Sequence, residues 1–377
     1  MRITADWIRD EAAQAVMAAL AAGGVHALFV GGCVRNALLG VPVADIDIAT
    51  EARPETVIAL TEAAGLRPVP TGIDHGTITV VSHGRGFEVT TFRMDLETDG
   101  RRAVVAFADD VADDAARRDF TMNALYADAE GNVIDPLGGL PDVMARRVRF
   151  VGDPHARIAE DYLRILRFFR FHALYGDPEK GLDPEALAAC AAHVDGLDRL
   201  SRERIGHEMR RLLKAPDPAP AVAAMAAVGV LAHVLPGADA RALAPLVHLE
   251  SGMPPRWLRR LSALGGDATG LRLSRDEMRG LDARRAALAS GEGPAVLAFR
   301  HGAHVAEDAI LIRAASLGAP PPEGWLDEIA RGAGAVFPLR AADLPELSGP
   351  ALGERLRDLQ EVWLRSNLRA TRTELLA

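Results

Sequence analysis

The sequence predicts an α+β protein, with a head that mixes helices and a sheet followed by a helical body. Three observations predict it. Apolar runs with strand character, bounded by glycine turns, fall between VHALFVGG (25–32) and RVRFVG (147–152). Beyond them, apolar residues recur mainly at helical spacing. A proline- and alanine-rich break, APDPAP (215–220), interrupts the helical part. At 377 residues the chain is too long for one typical core, so about two to four domains are expected.

Each element follows from its residues. Residues 5–22 carry helical apolar spacing and stop at Gly23 and Gly24, after which VHALFVGG reads as a buried strand entering a glycine turn. VRNALLG (34–40) is a short helix closed by Gly40, and ADIDIAT (44–50) alternates strictly, as a strand does. PETVIALTEAAG (54–65) is a helix with Pro54 near its start and Gly65 past its end. GTITVVSHGRGFEVTTF (76–92) is two strands around the turn SHGRG. Strand signals thin after GNVIDPLGG (131–139), with RVRFVG the last clear one. Helices are expected over AEDYLRILRFFRFHALYG (159–176), DPEALAACAAHVDGL (183–197) and SRERIGHEMRRLLKA (201–215). Further helices follow between loops such as LGGDATG (264–270) and GAPPPEG (318–324).

Composition narrows the class. Hydrophobic residues make up 49% and charged residues 25%, which fits a soluble globular protein. Aromatics are only 5%, so the cores are expected to rest on Leu, Val, Ile and Ala. No apolar run is long enough to span a membrane, and the N-terminus lacks the basic-then-apolar order of a signal peptide. Cys33 and Cys190 show no disulfide or metal spacing, so a reduced cytoplasmic location is expected. The net charge of -9 argues against a nucleic-acid partner, but binding depends on local patches, not totals. Arginines cluster at 117–118, 146–149, 164–170, 199–214 and in WLRR (257–260), with Lys180 and Lys214 the only lysines. Genome composition accounts for such a bias as readily as function does; functionally, arginine suits bidentate phosphate and base contacts.

The chemistry concentrates in GGCVRNALLGVPVADIDIAT (31–50). Gly31 and Gly32 leave backbone N–H groups open at a helix start, an anion site, and Arg35 on the first turn could add a phosphate contact. Strand alternation points Asp45 and Asp47 to one side, with Ile46 and Ile48 to the core. Two such carboxylates repel unless a cation lies between them, and hard oxygen ligands suit Mg²⁺. Together these parts describe metal-assisted nucleotidyl transfer. Further on, Asp119 and Asn123 share a face if ARRDFTMNAL (116–125) is helical there; Asp119 would equally serve as an N-cap. Asp161, Arg164, Arg167 and Arg170 recur every three residues. On a helix Asp161 and Arg164 are neighbours, whereas Arg170 lies roughly opposite Asp161. The spacing fits a planar donor–acceptor edge that reads a base, and also a solvated ion-pair ladder.

The ordered set of Gly31, Gly32, Arg35, Asp45 and Asp47 resembles the signature of class II CCA-adding enzymes and bacterial poly(A) polymerases, within the DNA polymerase β nucleotidyltransferase superfamily. The resemblance implies a polymerase β-like nucleotidyltransferase head over 1–145, a base-recognising helical neck over 146–214 and a tRNA-binding body and tail over 215–377. It implies Asp45 and Asp47 as catalytic metal ligands for Mg²⁺, and Glu88 as a third catalytic carboxylate, though Glu88 could also be a structural strand acid. ARRDFTMNAL resembles the ribose-reading motif, implying nucleotide contacts from Arg118, Asp119 and Asn123. EDYLRILRFFRF (160–171) resembles the motif in which Asp161 and Arg164 template cytosine and then adenine, with Arg167 and Arg170 facing phosphates or the acids of the head. DLETDGRRAVVAF (95–107) resembles the flexible loop of A-adding members, DPLGGLPDVMARRVRF (135–150) the head–neck junction, SRERIGHEMRRLL (201–213) the neck motif, and PELSGPALGERLRDLQEVWL (345–364) the C-terminal element. The implied reaction adds CMP, CMP and AMP to the tRNA 3′ end from CTP and ATP; a poly(A) polymerase or an A-adding-only enzyme is the alternative. The implied partners are the tRNA 3′ end and acceptor arm, with no membrane and no obligate protein partner. One departure stands out: Asn36 follows Arg35 where many relatives carry Asp, which puts an ion pair with Arg35 in doubt.

Overall fold

Seven strands of the N-terminal half form one mixed sheet. They are β1 (Ala27–Val30), β2 (Asp47–Thr50), β3 (Arg67–Gly72), β4 (Thr77–Ser82), β5 (Arg85–Thr91), β8 (Tyr126–Ala127) and β9 (Val133–Ile134); β6 (Arg93–Asp99) and β7 (Arg102–Phe107) pair separately as an antiparallel hairpin. The computed structural model describes residues 1–99 and 102–377. Its contacts divide them into two units, Met1–Glu208 with Ala227–His233 and Met209–Ala226 with Val234–Ala377. The expected head and the expected neck as far as Glu208 therefore lie in one unit.

The sheet order is β3-β4-β5-β2-β1-β8-β9. Only β2 and β5 pair in parallel; the other neighbours are antiparallel. The turn between β4 and β5 places His83 at φ 49 and Gly84 at φ 78, the twist that a tight hairpin requires. β3 carries Pro68 and Pro70, which hid it from strand patterning. It pairs only with β4, so as an edge strand it tolerates the missing N–H groups. RVRFVG forms no strand: Phe150 makes a single isolated bridge to Phe120. The segment expected as a loop over 95–107 lies in the β6–β7 hairpin, and its residues 100 and 101 are outside the described residues.

The helices of this unit are α1 (Glu11–Ala22), α2 (Gly32–Leu39), α3 (Pro54–Ala63), α4 (Val111–Ala116), α5 (Leu140–Met144), α6 (Pro154–Glu160), α7 (Leu163–Tyr175) and α8 (Pro184–Ala192), with α9 (Arg202–Leu213) reaching the boundary at Glu208. The helix expected from residue 5 starts later, because the Asp10 carboxylate accepts the amides of Ala12 and Ala13 and caps α1. α1 and α3 pack together against β4 and β5. Ile48, Ile78, Val80 and Val89 are fully buried strand residues of the sheet. The expectation of an aliphatic core is incomplete. Phe120, Phe150, Phe168 and Phe171 pack with ring centroids 4.9–6.5 Å apart and join the 118–123 segment to α7. Few aromatics suffice, because each buries a large area where two segments meet.

The second unit is helical and contains α10 (Ala219–Ala227) up to Ala226, whereas α11 (Val230–Val234) belongs to the first unit as far as His233. They are followed by α12 (Leu243–Leu249), α13 (Trp257–Leu264), α14 (Arg275–Ser290), α15 (Pro294–His301), α16 (Ala303–Leu317), α17 (Trp325–Ala333), α18 (Gly349–Arg365) and α19 (Arg372–Leu376). The WLRR cluster points inward. Arg259 and Arg260 are buried and share the carboxylate of Glu250, at 2.5 and 2.7 Å. Asp308, fully buried, accepts Arg259 and Arg284 at 3.3 and 2.6 Å. Arg260 also donates to the carbonyls of Leu213 and Pro216. These arginines organise the helix ends of the body and are closed to phosphate.

Candidate active site

The site begins where β1 runs into α2. Gly31 sits at φ 68 and ψ -111, outside the regions open to L residues. A Cβ there would stand 3.2 Å from Nη1 of Arg118. The turn thus permits close approach of Arg118, and α2 starts without a side-chain cap. The first-turn amides of Gly32, Cys33 and Val34 have no intrahelical acceptor by helix geometry, which makes this end receptive to an anion.

The acids stand on the strand beside it. Ile46 and Ile48 are buried, as alternation requires, whereas Asp47 is half-buried. Asp45 is exposed and precedes β2, so the strand is shorter than ADIDIAT suggested. In the parallel pairing of β2 with β5, Asp47 stands directly opposite Glu88. Sequence alone could not show this, because the pairing joins positions 41 residues apart. Burial, then Glu88, then Asp45 push the Asp47 carboxyl above its ordinary range, and Arg118 opposes them. Carboxylates brought this close form a donor set for a hard cation. Among the described residues no three His, Cys, Asp or Glu side chains are grouped to hold a metal by themselves. A cation here would therefore complete its shell with water and substrate oxygens.

Arg118 is fixed from below. Its Nη2 donates to Asp114 Oδ2 at 2.8 Å, and its Nε reaches the Tyr126 hydroxyl at 3.1 Å. Tyr126 itself donates to the same Asp114 oxygen at 2.7 Å. Burial alone would raise Asp114, but Arg118 and Arg117 outweigh it and hold the carboxyl low. Asp114 went unremarked in the sequence, although its i,i+4 spacing to Arg118 was the available signal.

Asp119 and Asn123 meet without sharing an α-helix. Thr121–Asn123 is one 3₁₀ turn, and Phe120, not Asp119, precedes it as the cap. Asn123 Nδ2 donates to Asp119 Oδ1 at 2.9 Å, and Arg167 binds Asp119 Oδ2 through Nε at 2.7 Å and Nη2 at 2.6 Å. Burial would raise Asp119, yet Arg167 and these hydrogen bonds leave it below the ordinary carboxylate range.

Arg35 departs from expectation. It is buried, and donates to Asn36, Asn123 and Tyr175. Its guanidinium is turned away from an open phosphate contact. Asn36 keeps the expected support: its Oδ1 accepts Arg35 Nη2 at 2.8 Å, while its Nδ2 donates to the Pro42 carbonyl at 2.9 Å. An aspartate could not make the second bond.

The segment EDYLRILRFFRF is not one helix. α6 ends at Glu160, Asp161 is extended at φ -152, and α7 begins at Leu163. The break separates the expected Asp161–Arg164 edge. Asp161 pairs with Arg204 at 2.6 Å, whereas Arg164 pairs with Glu160 and donates to the Arg157 carbonyl. Arg170, expected to face phosphates or head acids, is buried against Glu208 of α9, Nε to Oε2 at 2.5 Å. Tyr175, Arg204 and Glu208 carried no local sequence signal, because each acts through a partner brought in by folding; Glu160 stands i,i+4 from Arg164, and that spacing was its available signal.

Comparison with known proteins places the family. Residues 27–149 match the "Poly A polymerase head domain", and residues 181–241 the "Probable RNA and SrmB-binding site of polymerase A". The chain belongs to the family of class II CCA-adding enzymes and poly(A) polymerases. It is similar to the crystal structure of the Bacillus stearothermophilus CCA-adding enzyme in complex with CTP, at 30% identity and TM-score 0.73, covering 94% of this chain and 93% of that one. It shares the fold of the Thermotoga maritima CCA-adding enzyme complexed with tRNA, at 18% identity and TM-score 0.68, covering 96% and 92% of the two chains. By sequence, human mitochondrial CCA tRNA nucleotidyltransferase 1 is 45% identical over 184 residues, 48% of this chain and 42% of the human protein. The CCA-adding enzyme of Lacticaseibacillus paracasei is 42% identical over 209 residues, 55% of this chain and 51% of that protein. The matched region thus spans about half the length of these curated relatives.

Proposed function

We propose that this protein is a CCA-adding tRNA nucleotidyltransferase, which transfers CMP, CMP and AMP to the tRNA 3′ end from CTP and ATP and releases pyrophosphate. The observation that carries this reading is the junction of three features: the uncapped helix start at Gly31, the paired Asp47 and Glu88, and Arg118 held against the turn. The first-turn amides of α2 and Arg118 hold the triphosphate. Asp45 and Asp47 hold a divalent cation, read here as Mg²⁺, with Glu88 setting the charge beside them. When bound, that cation supplies Lewis acidity at the α-phosphate and lowers the pKa of the attacking hydroxyl. The tRNA 3′ oxygen bonds to the α-phosphorus, and the bond to pyrophosphate breaks.

Asp119 and Asn123 orient the ribose. Asp161 and Arg164 read the base once the nucleotide replaces Arg204 and Glu160 as their partners. Residues 1–145 act as catalytic head, 146–214 as neck and 215–377 as a tRNA-holding body and tail. No helix among the described residues is long and apolar enough to cross a membrane, and both cysteines are buried and free. A reducing, cytoplasmic location fits that thiol state.

The test is incubation with tRNA lacking CCA and labelled CTP, ATP or both. Two cytidines from CTP alone and a terminal adenosine with both are expected. Extension by ATP alone, without CTP use, would favour a poly(A) polymerase or A-adding enzyme, and incorporation of neither would refute the reading. Gly31→Ala gives a second check. A Cβ there would crowd Arg118 Nη1 and shift the turn, so KM for the triphosphate should rise in steady-state kinetics.

A further inference from the structure

We infer that Arg35 and Tyr175 are positioning residues, an interlock that sets the neck helix α7 against the loop at Gly31. The inference rests on the nucleotidyltransferase reading and gives Arg35 a role other than phosphate contact. Arg35 lies one turn beyond Gly31 and is buried. Its guanidinium stacks over the Tyr175 ring at 4.0 Å, and its Nη2 donates to the Tyr175 hydroxyl at 2.9 Å. Through Nη1 it donates to Asn123 Oδ1. Asn123 passes the chain to Asp119 at 2.9 Å, and Asp119 accepts Arg167 at 2.7 Å.

The circuit is closed. It leaves α2 through Arg35, crosses the 119–123 segment, and meets α7 at Arg167; it returns from α7 at Tyr175. The two anchors on α7 are eight residues apart, about 12 Å along the axis. One anchor would fix position, whereas two also fix tilt. Arg164 lies one turn before Arg167, so its placement relative to the loop follows from this frame. Among the described residues the hydrogen-bond partners of Arg35 are neutral: Asn36, Asn123 and Tyr175. Fixed neutral acceptors with a ring beneath hold its plane.

Two mild variants test the interlock in the full chain. Tyr175→Phe keeps the ring and removes the hydroxyl; Arg35→Lys keeps the charge and loses the planar fork. With tRNA lacking CCA, each should lower kcat on the order of tenfold while KM for CTP stays within about twofold. The preference for CTP over UTP at the first addition should fall with it. Amide hydrogen exchange gives an arm independent of turnover. Tyr175→Phe should speed exchange in residues 32–39 as well as 163–175. Exchange altered only in the substituted helix would overturn the interlock. So would unchanged CTP preference with kcat falling only in step with melting temperature. If the unsubstituted protein incorporates neither nucleotide, the nucleotidyltransferase reading fails, and the exchange result still decides the interlock.

Discussion

Asp47→Asn is expected to reduce nucleotide incorporation at least about a hundredfold and to leave the melting temperature unchanged or higher. The substitution removes a charged oxygen from the proposed cation site but no core group, since Asp47 is half-buried and its neighbours Ile46 and Ile48 hold the strand. The sign of the stability effect follows from electrostatics. Burial, Glu88 and Asp45 disfavour the ionised Asp47 in the folded protein. Its folded pKa therefore lies above the unfolded value of about 3.9. The folded state binds the proton more tightly, so this contribution is complete below the unfolded pKa and is lost as pH rises through the folded one. Asparagine has no such loss. Calorimetry from pH ~4 to ~7 should show the variant gaining on the unsubstituted protein as pH rises. Adding Mg²⁺ should raise the melting temperature of the unsubstituted chain and not of the variant. A variant that loses incorporation and melting temperature together would give Asp47 a structural role.

Glu208→Ala should cost the first unit about 3–5 kcal/mol, the largest stability effect expected here. Arg170 and Glu208 are both buried and bonded at 2.5 Å, and removing Glu208 takes the carboxylate partner from a desolvated guanidinium. Pairing Glu208→Leu with Arg170→Met should recover much of the loss, because both charges are then gone and the volume is kept. Urea unfolding of the three proteins measures this. A nucleotide-contact role for Arg170 predicts a different pattern, with raised KM and unchanged stability.

Gly31, Asp45 and Asp47 are short-range features of the sequence, and strand alternation correctly put Ile46 and Ile48 inside. The misses have one physical source. β3 was hidden because proline is acceptable on an edge strand, and edge position is a property of the sheet. The helix break at Asp161 was hidden because apolar spacing runs through it, while the backbone turns extended at that one residue. WLRR counted among the arginine clusters suited to phosphate, whereas Glu250 and Asp308 engage its arginines.

The sequence by itself determined the α+β order of elements, the loop and the two acids, and the family resemblance they carry, because each depends on residues close in the chain. Only the tertiary structure decided which charges are spent on one another. It set Glu88 opposite Asp47 through sheet register, sank Arg170 onto Glu208, and turned Arg35 from the open loop toward Asn123 and Tyr175. The reason is range. Propensity and periodicity act over a turn or a strand, but a charge takes its role from whatever partner folding brings within about 3 Å, and that partner can stand anywhere in the chain.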